Sequence, residues 1–168
     1  MNIPEKLKKG LKSSLENLEN KQFDKTLFID DEILRTICEA SEKSNYEVSL
    51  IIDRKGNIVD VSCGDKNSAS HSLAVSDKKG YSGLRLIHTH PNASSTLSPM
   101  DLAFLKNNKM DCVCAVSIKN GEAYDAQIGY FLGDKVTYVN CHDCRYINKY
   151  GLLEKIAECE KEYEEYTK

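Results

Sequence analysis

The residues best able to do chemistry lie in one short passage. Leu86-Ile87-His88-Thr89-His90-Pro91 is followed by residues 92–97 and then Ser98-Pro99-Met100-Asp101. An apolar run that ends in His-x-His puts both imidazoles on one face of a strand and turns Thr89 to the other, because strand side chains alternate. Pro91 has no N–H to donate and stops the ladder. Ser98-Pro99 then reads as a helix start, with Ser98 as N-cap, Pro99 at N1 and Asp101 at N3. Two imidazoles and one carboxylate make three protein ligands, His88, His90 and Asp101. They leave the fourth position of a tetrahedral zinc open for water, as in a catalytic rather than a structural site. Such a site carries a net charge of about +1 and brings the pKa of its water to roughly 7. Each piece also has a plain structural reading. Histidine pairs occur at strand ends without a metal, and Ser-Pro-x-Asp is an ordinary helix opening.

Hydrolysis at such a site needs a base, and Glu47 is the best candidate. It begins a core strand otherwise made of Val48, Leu50, Ile51 and Ile52, where a carboxylate is costly unless something uses it. A solvated strand-end glutamate is the competing reading. Asp53 is the rival carboxylate, but it sits at the turn end of the same strand. Ser98, at the mouth of the helix that carries Asp101, could steady an oxyanion with its hydroxyl. His71, in Ser70-His71-Ser72, reads as a loop residue. Cys141-His142-Asp143-Cys144 supplies half of a structural zinc site; only Cys159 and His142 lie nearby, and a connector with incidental thiols is the competing reading.

Elements must position these groups. Leu7, Leu11, Leu15 and Leu18 recur at helical spacing, which predicts a helix over 3–18. Residues 19–28 read as a connector. Asp30-Asp31-Glu32 opens a second helix with Ile33, Leu34, Ile37 and Ala40 as its buried stripe, acidic at its start as the helix dipole prefers. Residues 46–53 and 58–63 form an antiparallel hairpin about Arg54-Lys55-Gly56-Asn57. Residues 64–82 read as a polar loop with an ordered piece at Leu73-Ala74-Val75. Strands follow at 84–90, 111–118, 123–132 and 136–139, with a turn at Gly133-Asp134. A helix covers 99–106 and another covers 150–166. The order predicts an α/β sandwich around a mixed sheet. A helical lead over 1–30, a core domain over 31–140 and a helical tail over 141–168 divide the chain.

Composition narrows the function class. Of 168 residues, 29% are charged and 40% hydrophobic, ordinary for a water-exposed globular protein. A net charge of −3 argues against a nucleic-acid partner. No stretch has the length of a membrane span or the apolar run of a signal peptide, which predicts a cytoplasmic protein with no membrane contact. Seven cysteines, an odd number, predict reduced thiols; Cys112 and Cys114 read as apolar fillers on a buried strand. There is no Gly-rich phosphate loop of the Walker type.

His88-Thr89-His90-Pro91, seven residues, Ser98, two residues and Asp101 resemble the motif of the JAMM (MPN+) metalloproteases, with Glu47 at the place of their upstream glutamate. The hairpin from Ser49 to Val59 is similar to that of RadC-type JAB proteins. Those proteins carry His-Asn-His-Pro-Ser-Gly where this chain has His-Thr-His-Pro-Asn-Ala, which weakens a DNA-repair reading. The resemblance covers roughly residues 31 to 140 and implies a cytidine-deaminase-like αβα sandwich. It further implies zinc (Zn2+) on His88, His90 and Asp101, Glu47 as general acid/base and Ser98 as oxyanion donor. The implied reaction is cleavage of peptide or isopeptide bonds in a protein or peptide substrate, such as a small modifier or a protein tail. The whole chain is also similar to the N-terminal extension of some clostridial HflX-type GTPases, which implies a ribosome or GTPase partner. The alternative expectation is a non-catalytic ribosome- or protein-binding module that retains the fold and its metal site. Hydrolysis of a small amide by the same groups is a third.

Overall fold

The structure is a computed structural model that describes residues 1–64, 81–132 and 135–166. The piece expected at Leu73-Ala74-Val75, His71 and the Gly133-Asp134 turn lie outside the described residues. The elements run α1 (Lys9–Glu16), α2 (Asp31–Ser44), β1 (Glu47–Asp53), β2 (Ile58–Gly64), β3 (Leu84–His90), α3 (Pro99–Asn107), β4 (Cys112–Lys119), β5 (Glu122–Leu132) and β6 (Lys135–Cys141). A 3₁₀ helix (Cys144–Lys149) and α4 (Leu152–Tyr166) follow. The six strands form one sheet in the order β2-β1-β3-β4-β5-β6. Only β3 and β4, joined through α3, are parallel; the other neighbours are antiparallel. The chain is therefore α/β with a mixed sheet, as its element order predicts.

Both faces of the sheet are covered, so the central strands read as unbroken apolar runs rather than alternating ones. Val48, Leu50, Ile52, Ile87, Cys112, Cys114 and Val116 join α2 and α4 in one core. Ile51, Leu86, Val113 and Ala115 pack with Leu97, Leu105 and Met110 on the α3 side. Along β3, Leu86 therefore faces α3 while Ile87 faces α2, and this parity aims the two histidines. Every cysteine is buried and unbridged, with Cys112 and Cys114 filling β4.

Helix α2 forms as its ends dictate. The Asp30 side chain accepts from the N–H groups of Glu32 and Ile33, and Asn45 closes the helix in the left-handed region at φ 62°. Its buried stripe of Ile33, Leu34, Ile37, Cys38 and Ala40 also takes in a serine, Ser41. Between β1 and β2 the Asp53 side chain accepts from the N–H groups of Lys55 and Asn57. Gly56 has φ +83°, and a Cβ there would fall 2.3 Å from the carbonyl oxygen of Phe23.

Two elements differ from the sequence pattern. Helix α1 covers only Lys9–Glu16 rather than 3–18. Asn2 instead pairs in parallel with Ser62 on the β2 edge, so strand pairing and Pro4 win over leucine periodicity. Leu7, Leu15 and Leu18 still reach the main core. The tail helix begins at Leu152, because the 3₁₀ helix ends at Tyr150 and Gly151 turns at φ 69°. Among the described residues no helix is long and apolar enough to cross a membrane.

Candidate metal centre

The site sits where β3 ends and α3 begins. His88 and His90 share the α3 side of the sheet, and both are buried. The loop after Pro91 turns back so that the Ser94 carbonyl oxygen lies 2.8 Å from His90 Nδ1. It is pinned again where the Leu97 N–H donates to Gln127 Oε1 on β5 at 2.8 Å. Helix α3 opens with a capping box. Ser98 Oγ accepts from the Asp101 N–H at 3.1 Å, and Asp101 Oδ2 accepts from the Ser98 N–H at 2.8 Å. This reciprocal pair fixes the Asp101 carboxylate over the histidines. Asp101 Oδ1 lies 3.1 Å from His88 Nε2, and Oδ2 lies 3.7 Å from His90 Nε2.

One ligand atom from each of His88, His90 and Asp101 lies within 4.8 Å of the others. Among the described residues this is the one such group, and neither Cys141 nor Cys144 belongs to it. The chemistry of the set fits a cation. A carbonyl oxygen only accepts, so His90 Nδ1 carries the hydrogen, and in the neutral ring Nε2 is then free to ligate, the usual arrangement behind a metal-ligating histidine. His88 Nε2 faces that nitrogen at 2.9 Å and the Asp101 carboxylate at 3.1 Å. One proton on His88 Nε2 cannot serve both acceptors, and it would leave Nδ1 as a lone pair. His88 Nδ1 is buried without a hydrogen-bond partner, whether or not an ion sits on Nε2. A divalent cation among the three groups satisfies all of the facing lone pairs at once.

Without a cation the Asp101 carboxylate accepts hydrogen bonds from both rings. Burial pushes the Asp101 carboxyl up, but hydrogen bonds from His88 and His90 and the Ser98 N–H outweigh it and hold the group well below the usual carboxylate range. For His90 burial lowers the pKa. The contacts with Asp101 and Ser94, and the charge of Glu47, overcome it and raise the net value.

Glu47 stands on the neighbouring strand. The β1–β3 ladder pairs Ser49 with His88, and continuing that register sets Glu47 across from His90 on the same face. It is half-buried, and its charge reaches His90. Asp53 lies at the far end of β1 and is occupied by the turn. The fold thus brings His88, His90, Asp101, Ser98 and Glu47 to one end of the sheet. Ser98 uses its oxygen as acceptor in the cap, which leaves its O–H to donate.

Other parts of the site have weaker signals in the sequence. Gln127 anchors the loop from β5, a contact set by sheet order alone. Ser117 pairs with His90 on β4, and its hydroxyl bonds to the Asp125 carboxylate. Behind the histidines, Thr89 Oγ1 accepts from the Val48 N–H and donates to Ser41 Oγ. The one available signal was Ser41, a polar residue on an apolar stripe. Compared with protein-family models, curated proteins and solved structures, the chain matches none.

Proposed function

We infer that this chain is a zinc-dependent hydrolase of peptide or isopeptide bonds, of the JAMM type on a cytidine-deaminase-like sandwich, acting on a protein or peptide. The observation that carries the reading is the buried convergence of His88, His90 and Asp101, with the charge of Glu47 reaching His90 from the adjoining strand.

His88 Nε2, His90 Nε2 and the Asp101 carboxylate would hold the ion. When bound, zinc supplies Lewis acidity that polarises a scissile carbonyl and makes water acidic near neutral pH. Glu47 takes a proton from the attacking water and returns it to the leaving amine as the C–N bond breaks. The Ser98 O–H donates to the oxygen that gains charge as the carbonyl carbon becomes tetrahedral. The capping box keeps that hydroxyl and the Asp101 carboxylate in one rigid unit, so both move with the start of α3. The His90–Ser94 contact keeps the ring in the tautomer that ligation needs.

The test is a substrate trap. Zinc-loaded Glu47→Gln lowers turnover by roughly 10²- to 10⁴-fold, as loss of a general base does, while retaining bound substrate from a native extract. Wild-type turnover by Glu47→Gln on a substrate so identified would end the assignment of Glu47 as base.

A further inference from the structure

We propose that Ser41 and Thr89 are positioning residues that fix Glu47 against the histidine pair; the inference rests on the site reading above and assigns two residues outside it. Thr89 stands between His88 and His90 but points to the opposite side of the sheet, and Ser41 comes from α2. Both are fully buried. Their hydroxyls form a chain with one direction. The Val48 N–H donates to Thr89 Oγ1 at 2.9 Å, Thr89 Oγ1 donates to Ser41 Oγ at 2.7 Å, and Ser41 Oγ donates to the Tyr46 carbonyl at 2.6 Å.

The two ends of this chain hold the residues on either side of Glu47. Tyr46 is held at its carbonyl and Val48 at its amide, so the peptide groups that flank Glu47 are both fixed. The middle of the chain is the residue between the two histidines. The β1–β3 pairing runs from Asp53 and Leu84 up to Ser49 and His88. One step further, the Val48 N–H goes to a threonine hydroxyl instead of a main-chain carbonyl. The ladder therefore gives way to a side-chain clamp at the place where Glu47 must face His90. The Tyr46 N–H is tied as well, to Ser44 Oγ at 3.2 Å, so the whole approach to Glu47 from α2 is fixed by hydroxyls. Hydrophobic packing alone would accept valine at 89 and alanine at 41, since both side chains lie against the apolar core. The polar atoms are present because backbone groups next to Glu47 need partners.

Cobalt(II) serves as the probe, since it takes the tetrahedral place of zinc and reports by spectrum without any substrate. Cobalt is added to wild type, Thr89→Val, Thr89→Ser and Ser41→Ala, each labelled with 13C at the glutamate side-chain carboxyl. Glu47→Gln identifies the signal that belongs to Glu47. The readout is the paramagnetic shift of that carbon relative to the zinc-loaded protein. At fixed direction from the ion the shift falls with the cube of distance, so a retreat by about a quarter of the starting distance halves it, and a displacement of about 1 Å is of the size that costs catalysis. Thr89→Ser keeps the wild-type shift, and Thr89→Val loses about half of it while its visible cobalt spectrum stays that of wild type. If Thr89→Val does not fold, Ser41→Ala, which leaves Thr89 in place, gives the same loss. The proposal is overturned if folded Thr89→Val or Ser41→Ala keeps both the wild-type spectrum and the wild-type Glu47 shift. Wild type with no tetrahedral cobalt bands defeats the metal site itself, and the proposal with it, an outcome distinct from failure of the clamp alone.

Discussion

Two imidazoles and a carboxylate meet at His88, His90 and Asp101, and the residue-scale predictions follow from that meeting. Prepared without metal, the protein holds the Asp101 carboxylate below its ordinary range and His90 above its own. A depressed carboxylate adds stability above its unfolded pKa of about 3.9 and loses it as pH falls through the folded value. A raised histidine adds stability below its unfolded pKa of about 6.5 and loses it as pH rises through the folded value. Asp101→Asn in the metal-free protein should therefore cost most between about pH 4 and 6.5 and less on either side, read as the urea midpoint against pH. Ser98→Ala has two separable effects. Losing the N-cap costs about 1 kcal/mol of stability. On the proposed mechanism, losing the Ser98 O–H costs on the order of 10²-fold in kcat. Ser98→Asp, which retains a cap acceptor but no hydroxyl, should restore the first and not the second. At this scale the sequence is most informative: the alternation of β3 and the capping box of α3 are local, and both are written in neighbouring residues.

At the scale of elements, less could be read. Hydrophobic spacing, the turn at Arg54-Lys55-Gly56-Asn57 and the Ser98-Pro99 cap predict α2, the β1–β2 hairpin, β3 and α3 nearly to their ends. The failures are non-local. Nothing in residues 3–8 announces that Asn2 will pair with Ser62, and that pairing shortens α1. Gln127 is an unremarkable strand residue until β5 lies two strands from β3 and its side chain takes the Leu97 N–H. Gln127→Leu leaves that part-buried donor without its acceptor. It should cost about 1–3 kcal/mol by chemical denaturation and weaken the proposed zinc binding by loosening the loop between His90 and Asp101. A variant with unchanged stability and zinc affinity would show that the loop holds its shape without this anchor.

The whole molecule closes its core with residues far from the site. The N-terminal segment lies in the same core as the sheet, with Leu15 completely buried. Leu15→Ala should cost about 2–5 kcal/mol, the range for a large cavity in a packed interior. A surface-like loss below about 0.5 kcal/mol would mean that the segment is dispensable to the fold. Arg85 is a second tie. Its buried guanidinium donates to the carbonyls of Leu27, Phe28 and Asp53, joining the connector before α2 to β3. The sequence marks Arg85 only as a charge inside an apolar strand. Its partners depend on how the connector wraps, which no local pattern states.

The central claim is that His88, His90 and Asp101 bind a catalytic zinc, and metal stoichiometry tests it most directly. Protein stripped by chelator, titrated with zinc and measured calorimetrically with elemental analysis, should take up one zinc per chain. His88→Ala and Asp101→Asn should abolish that uptake while remaining folded. A folded wild-type chain that binds no zinc, or binds it equally well in both variants, would contradict the account.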